Sequence, residues 1–193
     1  NNKPSEMPVL VDKGPYSTYS RIIEMTIPGA TGTIYYTIDG SDPTLNNSYI
    51  YSPSELKNEY GEIVIGTELY TNSIVKAIAI DNINGGPSKI IVMDITKIYD
   101  TPKATFLGTV NNGEDNLVVS LSTEDNSEIY YSLGSEYLSY NKNKSVYETN
   151  SGKTLEGILI PNNTQLRYYA KGEDKLSSNV SYKSYSVDTV PAP

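Results

Sequence analysis

The sequence predicts an all-β protein made of two antiparallel β-sandwiches in tandem. Apolar and polar residues alternate with period two through most of the chain, which is typical of strands with one buried face. Clusters of Gly, Pro, Asn and Asp separate these segments, and no helical periodicity is sustained between them. The order of the segments recurs in the second half, and 193 residues suit two modules, each of about 95 residues.

In the first half, five segments have the strand pattern, and three clusters rich in Gly, Pro, Asn and Asp separate some of them. The strands are expected at 23–27, 34–38, 63–65, 75–80 and 90–95, and the turns at 28–30, 39–43 and 84–87. Tyr36 shares its face with Ile34 and Ile38, so it is expected in the core.

The second half repeats this order. Strands are expected at 117–121, 129–133, 166–170 and 180–187, with turns at 111–113 and 161–163. The Ile-Tyr-Tyr-Thr-Ile segment at 34–38 matches Ile-Tyr-Tyr-Ser-Leu at 129–133 at an offset of 95 residues. The strand at 75–79 aligns with 166–170 at an offset of 91 residues. Each module is therefore expected to be a seven-stranded antiparallel sandwich of two sheets.

Prolines set the expected boundaries, because proline lacks the N–H needed inside a ladder. Pro8, Pro102 and Pro191 lie about one module apart. We expect a linker at 1–7, the first module at 8–100, the second module at 101–188, and a linker or the start of a further module at 189–193. The connection at 98–103, which contains Pro102, is short and restricted. Because Asn1 is not a natural start, the chain is expected to be an internal fragment of a longer protein.

The composition excludes several functions. The chain has neither Cys nor His, so disulfide frameworks, zinc knuckles, thiol nucleophiles and histidine bases are excluded. The net charge of −8 argues against nucleic acid as a partner. No apolar stretch approaches the length of about 20 residues needed to span a bilayer. No cofactor is expected, and no residue is assigned as catalytic or metal-binding.

Tyrosine is the unusual residue, with 18 Tyr against one Phe and no Trp. Tyrosine suits strands with one wet side, and an AT-rich genome would favour the same composition. By alternation Tyr35, Tyr130 and Tyr169 point outward, with Arg167 beside Tyr169, whereas Tyr168 belongs to the core. These four outward residues are the candidate ligand-binding residues, since tyrosine beside a cation can stack on a sugar. The alternative is cross-strand pairing that only stabilises the sheet. Further tyrosines are expected in long loops, at positions 49, 51, 137, 140 and 147.

Two groups of acidic residues have a structural and a chemical interpretation. Asp39 and Asp42 could hold a cation, but calcium requires six to eight oxygens, and turn chemistry explains an Asp-Gly-Ser-Asp-Pro sequence without a metal. Carboxylates at 114–115, 124–125 and 128 could suggest glycoside hydrolysis, which needs two carboxyl groups across a cleft. Their polar surroundings favour a solvated hairpin end instead.

The segment Ile-Tyr-Tyr-Thr-Ile-Asp-Gly-Ser-Asp-Pro-Thr at 34–44 resembles the signature of the chitobiase/β-hexosaminidase C-terminal-type domain. Similar features are Gly14-Pro15-Tyr16 before the first strand, the Lys-Ala-Ile-Ala strand at 76–79, and Ser88 ahead of the last strand. The resemblance covers most of 8–98 and implies a fibronectin III-like, immunoglobulin-like fold. The second module resembles a degenerate copy, in which Gly134-Ser135-Glu136-Tyr137 replaces the turn and only Ala170 keeps the alanine strand.

This resemblance implies an accessory module of the kind found beside glycoside hydrolases and in bacterial surface proteins. We therefore expect a non-catalytic spacer in a secreted or cell-surface bacterial protein, monomeric, with the neighbouring domains of the parent chain as its partners. The alternative is an adhesin-like module that binds a glycan or a cell-surface protein through exposed tyrosines or loops. A hydrolase that uses carboxylates alone is the third hypothesis.

Overall fold

In the computed structural model of the chain, residues 2–111, 113–123, 126–134, 138, 146–149 and 152–187 are described. The chain divides into two compact units, unit 1 (Asn1–Lys97) and unit 2 (Ile98–Pro193). The described residues are almost entirely strands and turns, and most strand pairs are antiparallel. The predicted all-β sandwich class is confirmed.

Unit 1 is built of two four-stranded sheets and one short parallel pair. One sheet has the order β2-β3-β7-β6 and the other the order β10-β8-β4-β5, while β1 pairs with β9. The strands are β1 (Lys3–Pro4), β2 (Val9–Ser17), β3 (Ser20–Thr26), β4 (Gly32–Thr37), β5 (Tyr49–Ile50), β6 (Ser54–Lys57), β7 (Ile63–Tyr70), β8 (Ile74–Asp81), β9 (Gly85–Gly86) and β10 (Ile91–Asp94).

The core of unit 1 lies between these two sheets. On β4 and β8, the register places Ile34 opposite Ala79 and Tyr36 opposite Ala77, and all four side chains are buried. Small alanines on β8 leave room for the Tyr36 ring, which crosses the interior and forms a side-chain hydrogen bond with Thr67 on β7. The expected core position of Tyr36 is confirmed.

Unit 2 has a four-stranded sheet of order β11-β12-β15-β14 and a three-stranded sheet of order β13-β16-β17. Its core joins Leu117, Val119, Leu121, Ile158 and Ile160 of the first sheet to Ile129, Tyr131, Leu166 and Tyr168 of the second. The strands are β11 (Lys103–Asn111), β12 (Asp115–Ser122), β13 (Ser127–Leu133), β14 (Val146–Thr149), β15 (Gly152–Pro161), β16 (Thr164–Gly172) and β17 (Ser181–Tyr185).

The two units use the same strand order. In unit 1, β2 and β3 form one sheet with β7 and β6, and in unit 2, β11 and β12 form one sheet with β15 and β14. The strands β4, β8 and β10 of the other sheet in unit 1 correspond in order to β13, β16 and β17 in unit 2. Seven strands were expected for each sandwich. The two main sheets of unit 1 have eight strands, besides the short β1–β9 pair, because β5 pairs with the free edge of β4 through Tyr35–Ile50 and Tyr36–Tyr49. In the described part of unit 2 the sandwich has seven strands.

The expected boundaries need correction at two places. Residues 1–7 were assigned to a linker, but Lys3–Pro4 pairs in parallel with Gly85–Gly86 and Ser5 is buried. Residues 98–100 were assigned to the first module, whereas Ile98 pairs with Leu176 and belongs to unit 2. The prolines at 8 and 102 therefore follow the first paired residues of each unit rather than precede them.

Gly14-Pro15-Tyr16 lies within β2 rather than before the first strand. The register of β2 against β3 shifts between Asp12 and Pro15, and Gly14 has a φ of 100°, which glycine adopts readily. A side chain at Gly14 would also collide with the ring of Tyr60. The glycine thus permits a β-bulge against which the loop before β7 packs.

Candidate functional site

The outer face of the three-stranded sheet of unit 2 gathers most of the predicted binding residues. Tyr130 on β13 lies directly opposite Tyr169 on β16. Their rings stack at a centroid distance of 4.9 Å and an interplanar angle of 18°. This is the cross-strand aromatic pair that stabilises neighbouring strands.

Arg167 lies next to this pair on the same face, two residues before Tyr169. Its cross-strand neighbours are Ser132 on β13 and Tyr182 on β17. Tyr182 is 49% exposed. We call Tyr130, Arg167, Tyr169 and Tyr182 the tyrosine face. Sequence reasoning missed Tyr182, because alternation with the polar Ser181 and Lys183 on β17 would favour an inward position for this ring.

The structure corrects the expected exposure of Tyr169. Alternation places this residue on the outer face, as expected, but only 6% of it is accessible to solvent. The stacked Tyr130 ring covers it, and Tyr130 itself is half-buried. Of the four residues in the tyrosine face, Tyr182 therefore offers the most open ring surface to a ligand.

Tyr35 occupies the corresponding face of unit 1, where its neighbours are aliphatic. It lies between Ile78 on β8 and Ile50 on β5 in one row across the sheet. Tyr35 is half-buried, Ile78 is buried and Ile50 is exposed. The structure thus places Tyr35 in a different unit from the tyrosine face, in an apolar row without a neighbouring aromatic ring among its cross-strand partners.

The Asp39-Gly40-Ser41-Asp42 turn is held by its own hydrogen bonds. The backbone N–H of Ser41 donates to Asp39 Oδ1 at 3.0 Å, and the Ser41 hydroxyl donates to the same oxygen at 2.5 Å. These bonds, the hydroxyl first, hold the pKa of Asp39 below its usual value. Gly40 has a φ of 81°, and its N–H donates to the Ile74 carbonyl at 3.0 Å. The turn is thereby anchored to β8.

Asp42, the second candidate cation ligand, forms an ion pair with Lys76 on β8 at 2.9 Å. Its backbone carbonyl accepts a hydrogen bond from the Asn47 side chain at 3.1 Å. Within the described residues, no group of three or more Asp or Glu side chains is placed to hold a metal ion. The geometry therefore fits the turn interpretation, in which each carboxylate fixes the loop.

Of the two tyrosines expected in a loop of unit 1, Tyr49 lies in β5 and Tyr51 directly follows that strand. The rings of Tyr36 and Tyr49 lie 5.6 Å apart. Tyr51 forms a hydrogen bond with the backbone of Met25 on β3, and burial raises the pKa values of Tyr36 and Tyr51. Tyr51 thus has a packing role, whereas Tyr49 contacts Tyr36 but remains 56% exposed. Tyr137 and Tyr140 lie outside the described residues, and for Tyr147 only the backbone, in β14, is described.

The acidic residues that could suggest glycoside hydrolysis do not lie together in the described structure. Glu114 and Asp115 are exposed at the start of β12, and the Asn111 side chain donates to Asp115 at 2.8 Å. Glu128 lies on β13 opposite Lys171. The pair at 124–125 lies outside the described residues. The described carboxylates are thus distributed along strands and a hairpin rather than across a cleft.

One ion pair was missed by sequence reasoning. Arg21 on β3 is fully buried, and its Nε and Nη2 atoms donate to the two oxygens of Asp12 at 3.0 and 2.7 Å. Asp12 Oδ1 also accepts the N–H of Gly14 at 3.1 Å. The pair therefore holds the β2 bulge against β3. Arg21 lies two residues before Ile23, on the strand face that Ile23 and Met25 bury, and this alternation is the signal that the sequence offered.

Comparison with known proteins finds a similarity in part of unit 1. Residues 23–95 match the family described as Fn3 associated. The match begins in β3 and ends at the buried Ile95, after β10. No curated protein matches the chain. In the part of the chain that is described, there is no helix long and apolar enough to cross a membrane. Residues 23–95 are thus similar to fibronectin III-associated modules of the immunoglobulin-like type.

Proposed function

We propose that this chain is a non-catalytic accessory or spacer segment of a larger secreted or cell-surface bacterial protein, beside carbohydrate-active or cell-wall-associated domains. The similarity of residues 23–95 to Fn3-associated modules supports the accessory role. The observation that carries the proposal is that each unit encloses its own core. Only Thr96 and Lys97 separate Ile95, buried in unit 1, from Ile98, paired in unit 2.

Unit 2 is, in this proposal, a diverged second copy of a chitobiase-type module. Support comes from a hydrogen-bond arrangement found in both units. The N–H of Ala79 donates to the Ser88 hydroxyl in unit 1, and the N–H of Ala170 donates to the Ser178 hydroxyl in unit 2. These two alanines correspond in the sequence repeat at the offset of 91 residues.

The contacts of the aspartates support a non-catalytic role. Asp12 is paired with Arg21 and Asp42 with Lys76. Asp39, Asp81 and Asp94 accept hydrogen bonds within turns, and these bonds lower their pKa values. A general acid in glycoside hydrolysis needs the opposite, a raised pKa. These carboxylates are suited to fixing the chain.

Independent folding of the two units is the property that tests the spacer proposal. Ile34→Ala in unit 1 and Leu166→Ala in unit 2 each truncate a buried side chain and are expected to cost about 2–5 kcal/mol of stability in their own unit. Hydrogen exchange measured by mass spectrometry on the 193-residue chain would localise the loss. Reduced protection confined to the mutated unit is expected. Equal loss in both units would contradict the proposal.

Glycan binding through the tyrosine face is the second candidate function. The exposed Tyr182, opposite Arg167 in the strand register, favours it, because an open aromatic ring can stack on a sugar and a nearby arginine can hydrogen-bond to it. A glycan array probed with the wild-type chain and with Tyr182→Ala tests this candidate. Tyr70→Ala, which removes an exposed tyrosine from unit 1, is the matched control.

A glycan signal that Tyr182→Ala abolishes and Tyr70→Ala leaves intact would establish the binding role. A wild-type chain that gives no signal across the array would remove the glycan candidate and leave the spacer proposal in place. Tyr182 is preferred to Tyr169 for this test because Tyr169 is buried in a ring stack, so its truncation would also destabilise the sheet.

A further inference from the structure

The segment that precedes each sandwich is held by one buried residue. In unit 1 this residue is Ser5, three positions before the buried Pro8, and in unit 2 it is Tyr99, three positions before the buried Pro102. The residues between anchor and proline are exposed in both cases. We call residues 3–5 the strap of unit 1 and residues 98–99 the strap of unit 2.

The strap of unit 1 is attached by three hydrogen bonds that involve Ser5. Its N–H and its hydroxyl donate to the Gly86 carbonyl at 2.9 and 2.6 Å. The N–H of Asp81, the last residue of β8, donates to the Ser5 hydroxyl at 2.8 Å. The parallel pairing of Lys3–Pro4 with Gly85–Gly86 extends this contact by only two residues.

The strap of unit 2 is attached at the corresponding place. Ile98 forms a parallel bridge with Leu176, and the N–H of Tyr99 donates to the Leu176 carbonyl at 3.0 Å. The Tyr99 hydroxyl donates to the Asn126 carbonyl at 3.1 Å and accepts the N–H of Asp174 at 3.1 Å. The Lys175 ammonium lies 5.4 Å from the centre of the Tyr99 ring.

Both straps therefore contact the segment that follows one particular strand, which is β8 in unit 1 and β16 in unit 2. This segment lies at the edge of the sandwich. The core of unit 2 is formed instead by residues of β12, β13, β15 and β16. The attachment of unit 1 consists of a few hydrogen bonds, and that of unit 2 adds one buried ring, Tyr99, so each contributes little net stability compared with a whole core. Such peripheral segments open locally at lower free energy than the core strands.

We propose that each strap is a detachable segment, which undocks and redocks while its sandwich stays folded, and that undocking of residues 98–99 lengthens the chain between the units. With the strap docked, only Thr96 and Lys97 connect Ile95 to Ile98. With it undocked, residues 96–101 are free up to the buried Pro102, which precedes β11. At 3.3–3.6 Å per extended residue, the reach rises from about 7 Å to about 21 Å. This extension deepens the proposed spacer role, on which its biological meaning rests.

Residue-resolved hydrogen exchange on the whole chain, with increasing sub-denaturing urea, tests the proposal. The N–H groups of Tyr99 and Asp174 are expected to exchange at least ~100-fold faster than those of Leu166 and Tyr168, and with little dependence on urea, because local opening exposes little surface. Equal rates with the same urea dependence would mean that the strap opens only with the whole sandwich, and would overturn the proposal.

Gly86→Ala is a variant aimed at the strap of unit 1. A Cβ at this position would lie 2.4 Å from the Lys3 carbonyl oxygen, and its other nearest contacts are also strap or N-terminal backbone atoms. The N–H groups of Ser5 and Asp81 are expected to lose protection, while the other N–H groups of the β4–β8 ladder keep it. Loss of protection throughout β4 and β8 would show that the strap is an integral part of the sandwich.

Trypsin cleavage after the exposed Lys97 provides a second readout, for the strap of unit 2. A protease needs an extended, free segment on both sides of the bond, so Tyr99→Ala is expected to accelerate cleavage at Lys97 about 10-fold or more. Gly86→Ala, which releases the other strap, is the matched control and should leave this rate unchanged.

Cleavage after Lys171 in β16 reports unfolding of unit 2. Equal acceleration at Lys97 and Lys171 in Tyr99→Ala would show that the strap cannot leave without the sandwich and would overturn the proposal. The core variants Ile34→Ala and Leu166→Ala test whether the two units fold independently. They do not alter the straps, so their result does not depend on the strap measurement. Failure of the strap proposal is thus distinguishable from failure of the spacer proposal.

Discussion

Ser88 and Ala79 exchange two hydrogen bonds at the point where the chain returns toward β10. The N–H of Ala79 donates to the Ser88 hydroxyl at 2.9 Å, and the N–H of Ser88 donates to the Ala79 carbonyl at 2.9 Å. Ser178 and Ala170 have the same relationship in unit 2, at 2.7 and 2.8 Å. In both units the serine hydroxyl takes the place of a missing ladder partner for a buried alanine.

Replacing this serine is expected to destabilise each unit. Ser88→Ala and Ser178→Ala leave the buried N–H of Ala79 or Ala170 without its acceptor, and an unsatisfied buried donor costs about 1–3 kcal/mol. Urea unfolding of the chain, followed by hydrogen exchange in each unit, would measure the loss. Ser178 is completely buried, so its replacement should have the larger effect.

The matched controls are Ser54→Ala on β6 and Ser184→Ala on β17, which replace exposed serines. Surface substitutions of this kind usually change stability by less than about 0.5 kcal/mol. If Ser88→Ala and Ser178→Ala behaved like these controls, the hydroxyl would not be a required partner of the β8 and β16 ladders.

Removing the carboxylate of Asp12 is expected to destabilise unit 1 strongly. Asp12→Ala leaves the guanidinium of Arg21, which is fully buried, without its charge partner. Breaking one side of a buried pair costs about 3–5 kcal/mol. The free energy of unfolding in urea is the measurement. The double variant Asp12→Ala/Arg21→Met should recover part of the loss, because it removes the buried charge as well.

Lys76→Ala is the control for this prediction because it breaks an exposed ion pair with Asp42, whose side chain is 69% exposed. Exposed pairs contribute about 0–1 kcal/mol. An Asp12→Ala variant as stable as Lys76→Ala would contradict the assignment of Asp12 and Arg21 as a buried stabilising pair. The salt dependence should also differ, since buried charges are screened less.

Period-two alternation in the sequence was sufficient to predict strands at β3, β4, β7, β8, β10, β12, β13, β16 and β17, but it missed the other strands. It also predicted the core positions of Tyr36 and Tyr168 and the common face of Tyr130, Arg167 and Tyr169. It was not sufficient to predict exposure. Tyr169 is covered because the register places Tyr130 opposite it, and register depends on strand pairing across the sheet. The straps were missed for a related reason. Ser5 and Tyr99 each pair with residues more than 70 positions away, so no local periodicity marks them.

Acid is expected to loosen the turn that follows β8. Hydrogen bonds from the backbone and side chain of Asn84 lower the pKa of Asp81 in the folded chain. The unfolded chain therefore binds this proton at higher pH than the folded chain does. The stabilisation is complete above the ordinary Asp pKa of about 3.9 and is lost as the pH falls through the lowered folded value.

An NMR titration of the Asn84 N–H, which donates to Asp81 at 2.6 Å, would follow this change directly. In Asp81→Asn the acid-dependent shift of this amide should disappear, because position 81 no longer titrates. A shift that persists in Asp81→Asn would assign it to another group and contradict the prediction. Asp39 and Asp94 have pKa values lowered in the same direction, so global acid unfolding alone would not isolate Asp81.

Alkaline pH is expected to destabilise both units through their buried tyrosines. Burial raises the pKa values of Tyr36 and Tyr51 in unit 1 and of Tyr185 in unit 2. In the unfolded chain these phenols ionise near pH 10. Their contribution to stability is therefore full below pH 10 and is lost as the pH rises toward the raised folded values.

Because the chain has 18 Tyr and no Trp, absorbance near 295 nm follows tyrosinate formation without interference. The late part of that titration should lose one phenol in Tyr185→Phe, which keeps the packing of the ring against the core of unit 2. Tyr19→Phe, which replaces a tyrosine that is 74% exposed, controls for the loss of one phenol from the total amplitude. A late phase of unchanged size in Tyr185→Phe would mean that burial does not delay the ionisation of this ring, and the expected alkaline loss of stability in unit 2 would then need another source.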